Sequence, residues 1–191
     1  DRVGEINSIE RALRTAVNAH PEATIIANCD DVLITSVAWD HPNVVWVAAG
    51  AGWLGDSVTN PRSGGHIVRT DDDWYAVDSE AGADAADAAE FRRPTPDYVI
   101  EDDGLHLPSG EVIPLNLKLP GRANRGNAAQ AIAAAVEAFD VPVAAAVRAA
   151  EDIDNVAGRY STVHLGEHDV HLLLAKNPAG WQEALSMLDR D

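Results

Sequence analysis

Leu119–Ala135 reads LPGRANRGNAAQAIAAA, a turn that runs into a helix. Pro120 and Gly121 break whatever strand precedes them. Asn124 is placed to cap a helix by accepting a hydrogen bond from a backbone N–H two or three residues on. The Ala-rich run from Asn127 predicts a helix that extends to about Phe139. Asn124 and Asn127 are spaced i, i+3, so both amides fall on one face of the first turn. They sit there beside the positive end of the helix dipole. That juxtaposition suits a polar, often anionic ligand. It equally suits a plain cap with a solvated Asn beside it.

Upstream of this turn the chain reads as short strands. Tyr98–Glu101, Gly104–Leu107 and Glu111–Leu117 are separated by the turn signals Asp102-Asp103-Gly104 and Pro108-Ser109-Gly110. The alternation in IPLNLKL (Ile113–Leu119) suits a half-exposed antiparallel strand. Residues Gly50–Pro96 are rich in Gly, Asp, Ser and Pro. They carry one predicted hairpin, Gly65–Thr70 and Trp74–Val77 about a turn at Asp71–Asp73. The acidic run Glu80–Glu90, EAGADAADAAE, reads as a flexible loop.

Further upstream, Ala23–Ala27 (ATIIA) predicts a buried strand, and Val44–Ala49 (VVWVAA) a second. Between them, Asn28-Cys29-Asp30-Asp31 leads into a helix over Val32–Ala38. Strand, helix, strand implies a parallel arrangement and an α/β fold class. A polar cluster at the carboxyl end of such a strand is where ligands often bind, and it also reads as an Asx turn. At the start of the chain, Ile6–Ala19 predicts an amphipathic helix. Ile9, Leu13, Ala16 and Val17 recur on one side of it, with Arg11, Arg14 and Asn18 on the other.

Downstream of the central helix, Val143–Ile153 predicts a second one, with Pro142 near its first turn. Residues 154–159 read as a hinge. Tyr160–Leu165 and Val170–Leu174 then form a predicted hairpin, followed by a helix over Gly180–Leu188.

Composition narrows the function. The chain has 191 residues, is 46% hydrophobic and carries a formal net charge of −17. That charge argues against binding a nucleic-acid backbone, which needs a basic face. Cys29 is the lone cysteine, so no intrachain disulfide and no cysteine zinc cluster can form. No apolar run approaches the roughly 20 residues of a membrane span, and no signal peptide is visible. The first residue is Asp1 rather than Met, which reads as a processed or excised piece of something longer.

Gly121, Asn124 and Asn127 match a pattern of the Mur ligases, G-x-H-N-x-x-N before an Ala-rich helix. Ala123 stands where that pattern has His. The whole stretch LPGRANRGNAA resembles the MurT subunit family of lipid II isoglutaminyl synthase. AKNPAGW (Ala175–Trp181) resembles a signature of that family's C-terminal domain and selects it most specifically. NCDD resembles the Mur ligase NADD element, and DRVGE (Asp1–Glu5) the family's DRYGE.

The resemblance implies that residues 1–153 are the later part of a Mur-ligase-type ATP-binding middle domain. Residues 55–97 would be a ribbon insertion within it, and 160–191 the start of an α/β C-terminal domain. It implies an ATP-dependent carbon–nitrogen ligase of peptidoglycan synthesis. Such an enzyme activates the D-glutamate carboxylate of lipid II as an acyl phosphate and amidates it to D-isoglutamine. Ammonia comes from a glutaminase subunit of the GatD type. ATP and Mg²⁺ are the implied cofactors, and the implied place of action is the cytoplasmic face of the membrane.

The same resemblance assigns candidate residues. Asn127 would contact adenine, with Asn124 supporting its turn. Arg159 would reach phosphate, for which a guanidinium is suited. Lys176 and Asn177 would face the active site as catalytic residues. The bland alternatives are a surface Arg, and a strand-ending turn with a solvated Lys. The family's ribbon holds zinc with two Cys-x-x-Cys pairs. Those positions fall near Asn60 and Ser63, then Ala86 and Ala89, and none of these can ligate zinc, so no metal is expected there. The spacing of His164, His168 and His171 hints at a metal set, but the expected hairpin puts them on opposite arms and at its tip.

The sequence contains no G-x-x-x-x-G-K-S/T phosphate loop, so residues 1–191 alone are expected to be inactive. Two other classes fit the residues: another Mur or folylpolyglutamate-type amide ligase, and a non-catalytic binding module.

Overall fold

The computed structural model describes residues 6–51, 57–71, 73–77, 90–156 and 160–186. It is mixed α/β, with both parallel and antiparallel strand pairing. The chain divides into two compact units, Asp1–Val99 and Ile100–Asp191. No helix among the described residues is long and apolar enough to cross a membrane.

The first unit is built on the expected strand–helix–strand. Strand β1 (Ile25–Asn28) pairs in parallel with β2 (Val44–Ala48), from Ile25 opposite Val44 to Asn28 opposite Val47. Helix α2 (Val32–Ala38) makes the crossover between them. Asp31 caps it, its Oδ1 accepting from the backbone N–H of Leu33 at 2.9 Å and of Ile34 at 3.1 Å. This satisfies donors that a helix start leaves without partners. Strand β5 (Tyr98–Glu101) straddles the division, and its first residues pair in parallel with β2, Val47 opposite Tyr98. Ala27, Val32, Val47 and Tyr98 are buried where strands and helix meet.

Helix α1 (Ile6–Asn18) is amphipathic, as its spacing predicts, but its one buried residue is the polar Glu10. Glu10 is 2% exposed, whereas Ile9 and Leu13 are 44% and 45% exposed. The cause is a buried polar contact with α2. The Glu10 carboxylate accepts from Ser36 Oγ at 2.6 Å and pairs with Arg14 Nε at 3.3 Å. Its second oxygen, Oε2, is buried without a hydrogen bond.

The predicted hairpin of the ribbon region forms from β3 (His66–Arg69) and β4 (Trp74–Val77). Its core is apolar. Trp74, Ala76 and Phe91 close on Val32, with Trp39 and Ile67 packed around them. Phe91 meets Trp39 edge-on at 5.1 Å and Trp74 at 5.2 Å. Asn60 and Ser63, where the family resemblance places a thiolate pair, build a hydrogen-bonded turn instead. Asn60 Nδ2 donates to Ser63 Oγ at 2.8 Å, and the Gly64 N–H donates to the Asn60 carbonyl at 2.8 Å. Ala86 and Ala89 lie outside the described residues.

In the second unit β5 turns back into β6 (Gly104–His106), which pairs antiparallel with β7 (Val112–Ile113). Gly104 has φ +149, and a Cβ there would lie 2.3 Å from the Ile113 carbonyl oxygen. Only glycine fits. The expected strand Glu111–Leu117 is therefore corrected to these two residues of β7. Pro114 has no N–H to continue the ladder. Beyond it the chain bonds to a helix instead, the Asn116 N–H donating to the Glu151 carboxylate at 2.8 Å.

Helix α3 (Arg122–Phe139) packs on α4 (Val143–Asp152); Ala129, Ile132 and Ala133 of one and Ala146 and Val147 of the other are buried. Asp140, with φ 54, ends α3. The C-terminal hairpin is β8 (Tyr160–Leu165) and β9 (His168–Leu173), with Leu165 opposite His168. The second arm starts at His168, two residues earlier than its pattern predicts, because Gly166 at φ 65 permits a tight turn. Helix α5 spans Pro178–Ser186. It too starts two residues early, for Asn177 caps it and Pro178 loses nothing by lacking an N–H at the first helical position.

Candidate functional site

The turn before α3 is organised differently from a simple Asn cap. The helix starts at Arg122, and its cap residue is Gly121, with φ 95 and no side-chain bond to the first turn. Asn124 lies inside that turn and points back, Nδ2 donating to the Pro120 carbonyl at 2.6 Å. It ties the turn to the helix from within, in place of the cap that its position in the sequence predicts. Arg125 adds two bonds from its guanidinium, to the Leu115 carbonyl at 3.1 Å and the Glu101 carbonyl at 2.6 Å. Asn127 is exposed.

The free N–H groups at the start of α3 have already drawn in an anion. Glu183 of α5 accepts a hydrogen bond from the Ala123 N–H at 3.0 Å. This is the contact that a helix N-terminus favours, because unpaired donors and the helix dipole both attract negative charge. The segment that carries Lys176 and Asn177 is thereby tied to the turn that carries Asn124 and Asn127. Asn177 itself is engaged locally, its Oδ1 accepting from the Gly180 N–H at 2.8 Å. Lys176 is exposed. Arg159 lies outside the described residues.

A second polar cluster closes the carboxyl ends of β1 and β2 in the first unit. Asn28 Oδ1 accepts from Asp30 N at 3.0 Å and from Ala49 N at 3.3 Å, and its Nδ2 donates to the Gly50 carbonyl at 2.9 Å. Asp30 takes the Gly50 N–H on one oxygen at 2.7 Å and Arg93 Nε on the other at 2.7 Å. Burial works against the Arg93 charge, but Asp30, together with Cys29 and Asp73, offsets it and the Arg93 pKa is raised. Arg69 donates to Ser57 Oγ at 2.7 Å. Burial lowers its pKa, opposed by the charges of Asp31 and Asp30.

Cys29 lies beneath this cluster, fully buried. Burial pushes its thiol up to about 12, helped by the Asp30 carboxylate and opposed by Arg93. A thiol held protonated is no nucleophile. The cluster is a closed set of ion pairs and Asx bonds that fixes the strand ends. Arg69 and Arg93 escape a local reading of the sequence because their partners stand 12 and 63 residues away.

On the C-terminal hairpin the three histidines do not converge. His164 bonds to Asp169 across the strands and His171 to Thr162 at 3.1 Å.

No family model matches the chain, and no curated protein matches it.

Proposed function

We propose that this chain supplies the adenine side of the nucleotide site of an ATP-dependent carbon–nitrogen ligase. The reading that best suits its motifs is a MurT-type subunit. Such a subunit amidates the D-glutamate of lipid II with ammonia from a glutaminase partner, at the cytoplasmic face of the membrane. The observation that carries the proposal is the start of α3, where Asn124 braces the turn, a carboxylate rests on the Ala123 amide and the Asn127 amide is exposed.

An adenine ring needs a paired donor and acceptor, and a carboxamide presents both. Lys176, exposed just before α5, would meet phosphate in this reading. Mg²⁺, held between phosphates, would neutralise their charge during transfer. The chain brings no phosphate loop of its own, so the reading assigns it recognition of the base and not the whole of the chemistry.

Equilibrium dialysis against ATP and GTP tests this. ATP is expected to be retained in preference to GTP, and Asn127→Ala to abolish the preference. Equal retention of both nucleotides, or a preference unchanged by Asn127→Ala, would overturn it. Amidation of lipid II by residues 1–191 without any other subunit would also contradict it. The second reading is a non-catalytic binding module. It is favoured by the local engagement of Asn124 and Asn177, and it predicts no nucleotide preference.

A further inference from the structure

The hairpin of β5 and β6 gathers a histidine and two carboxylates that none of the preceding chemistry uses. Glu101 is the last residue of β5, Asp103 lies in the turn and His106 ends β6. One ligand atom from each lies within 4.8 Å of the others. His106 Nε2 stands 2.9 Å from Asp103 Oδ1 and 3.5 Å from Glu101 Oε2.

These separations can be compared with what a metal ion demands. Zinc holds imidazole nitrogen and carboxylate oxygen at about 2.0–2.2 Å. Two ligands at that distance, subtending about 90–110° at the ion, stand roughly 3.0–3.4 Å apart. The two separations from His106 bracket that range, and all three ligand atoms lie within 4.8 Å of one another.

The donor types narrow the choice of ion. Calcium and magnesium prefer all-oxygen shells, whereas an imidazole nitrogen beside carboxylates suits zinc and its first-row neighbours. The backbone holds the set in place. Gly104 packs against the Ile113 carbonyl where no side chain fits, and His106 lies in register with Val112. Arg125 of α3 hydrogen-bonds to the backbone carbonyl of Glu101.

We infer that Glu101, Asp103 and His106 form a binding site for a divalent first-row transition-metal ion, with the three side chains on one face and water on the other. Without metal, His106 Nε2 hydrogen-bonds to Asp103 Oδ1, with Glu101 beyond it at 3.5 Å. Binding replaces the proton of that bond with the ion, and the proton passes to solvent. The site is separate from the nucleotide reading and stands or falls independently of it.

The test is titration of EDTA-treated, dialysed full chain with Zn²⁺, and with Co²⁺ for its visible spectrum, at fixed pH and moderate salt. One ion per chain is expected to bind ahead of any others. His106→Asn and Asp103→Asn should each weaken that first ion at least about tenfold. His168→Asn, on the other hairpin, should leave it unchanged, and circular dichroism of each variant should match the parent. Equal binding by the parent and both ligand variants would overturn the inference. So would a series of equivalent weak ions, the behaviour of a polyanion without a built site.

Discussion

Replacing Trp74 measures how much the apolar core of the ribbon region contributes to stability. The side chain is 1% exposed, packs on Phe91 and donates its Nε1–H to the Cys29 carbonyl at 2.9 Å. Trp74→Phe keeps most of the ring but removes the donor. The Cys29 carbonyl retains a longer bond from Thr35 Oγ1 at 3.4 Å, so it is not left bare. The lost hydrogen bond and the small void together cost about 1–3 kcal/mol. Trp74→Ala empties the site and costs about 3–5 kcal/mol. Against a total stability of about 5–15 kcal/mol, the second variant loses a large share of the fold. Urea unfolding followed by far-ultraviolet circular dichroism reads both values. A loss below about 0.5 kcal/mol for both variants, the ordinary range of a surface change, would refute the reasoning.

Other consequences are separate from this one. Cys29 has its pKa raised to about 12 in the folded chain, so its contribution to stability is whole below the unfolded thiol's ordinary value. Above about pH 9 the unfolded chain gives up the proton and the folded one keeps it, so stability falls by about 1.4 kcal/mol per pH unit until the folded thiol titrates. Urea midpoints measured from pH 8 to 10.5 on the parent and Cys29→Ala should diverge in that direction, and parallel curves would contradict it. Gly104→Ala places a Cβ against the Ile113 carbonyl. The β6–β7 pairing should open, with faster amide exchange at Leu107, and native protection there would show that the approach is looser than described.

Much of the first unit was legible because its signals are local. An apolar β-branched run, an Asx turn leading into a helix and a second such run specify β1, α2 and β2 without help from distant residues. The facing of α1 was not legible. Periodicity shows that Ile9 and Leu13 share a side, but the buried bond from Ser36 to Glu10 decides which side turns inward. The end of β7 was misread because alternation in Ile113–Leu119 outweighed the missing N–H of Pro114. At the candidate site, Asn124 was read as a cap, but Gly121 takes that position and Asn124 donates back to Pro120, while the arrival of Glu183 at Ala123 spans 60 residues. The Glu101, Asp103 and His106 set was hidden for a related reason. Asp103 reads as a turn residue until the two strands that flank it are known to pair.

The most direct test of the nucleotide reading is a nuclear magnetic resonance titration of the isotope-labelled chain with ATP, following the Asn127 side-chain amide and the Ala123 backbone N–H. The account predicts that both move together, as ATP meets the Asn127 amide and its charge competes with Glu183 for the start of α3. Shifts that leave Asn127 and Ala123 untouched while other residues respond would contradict it.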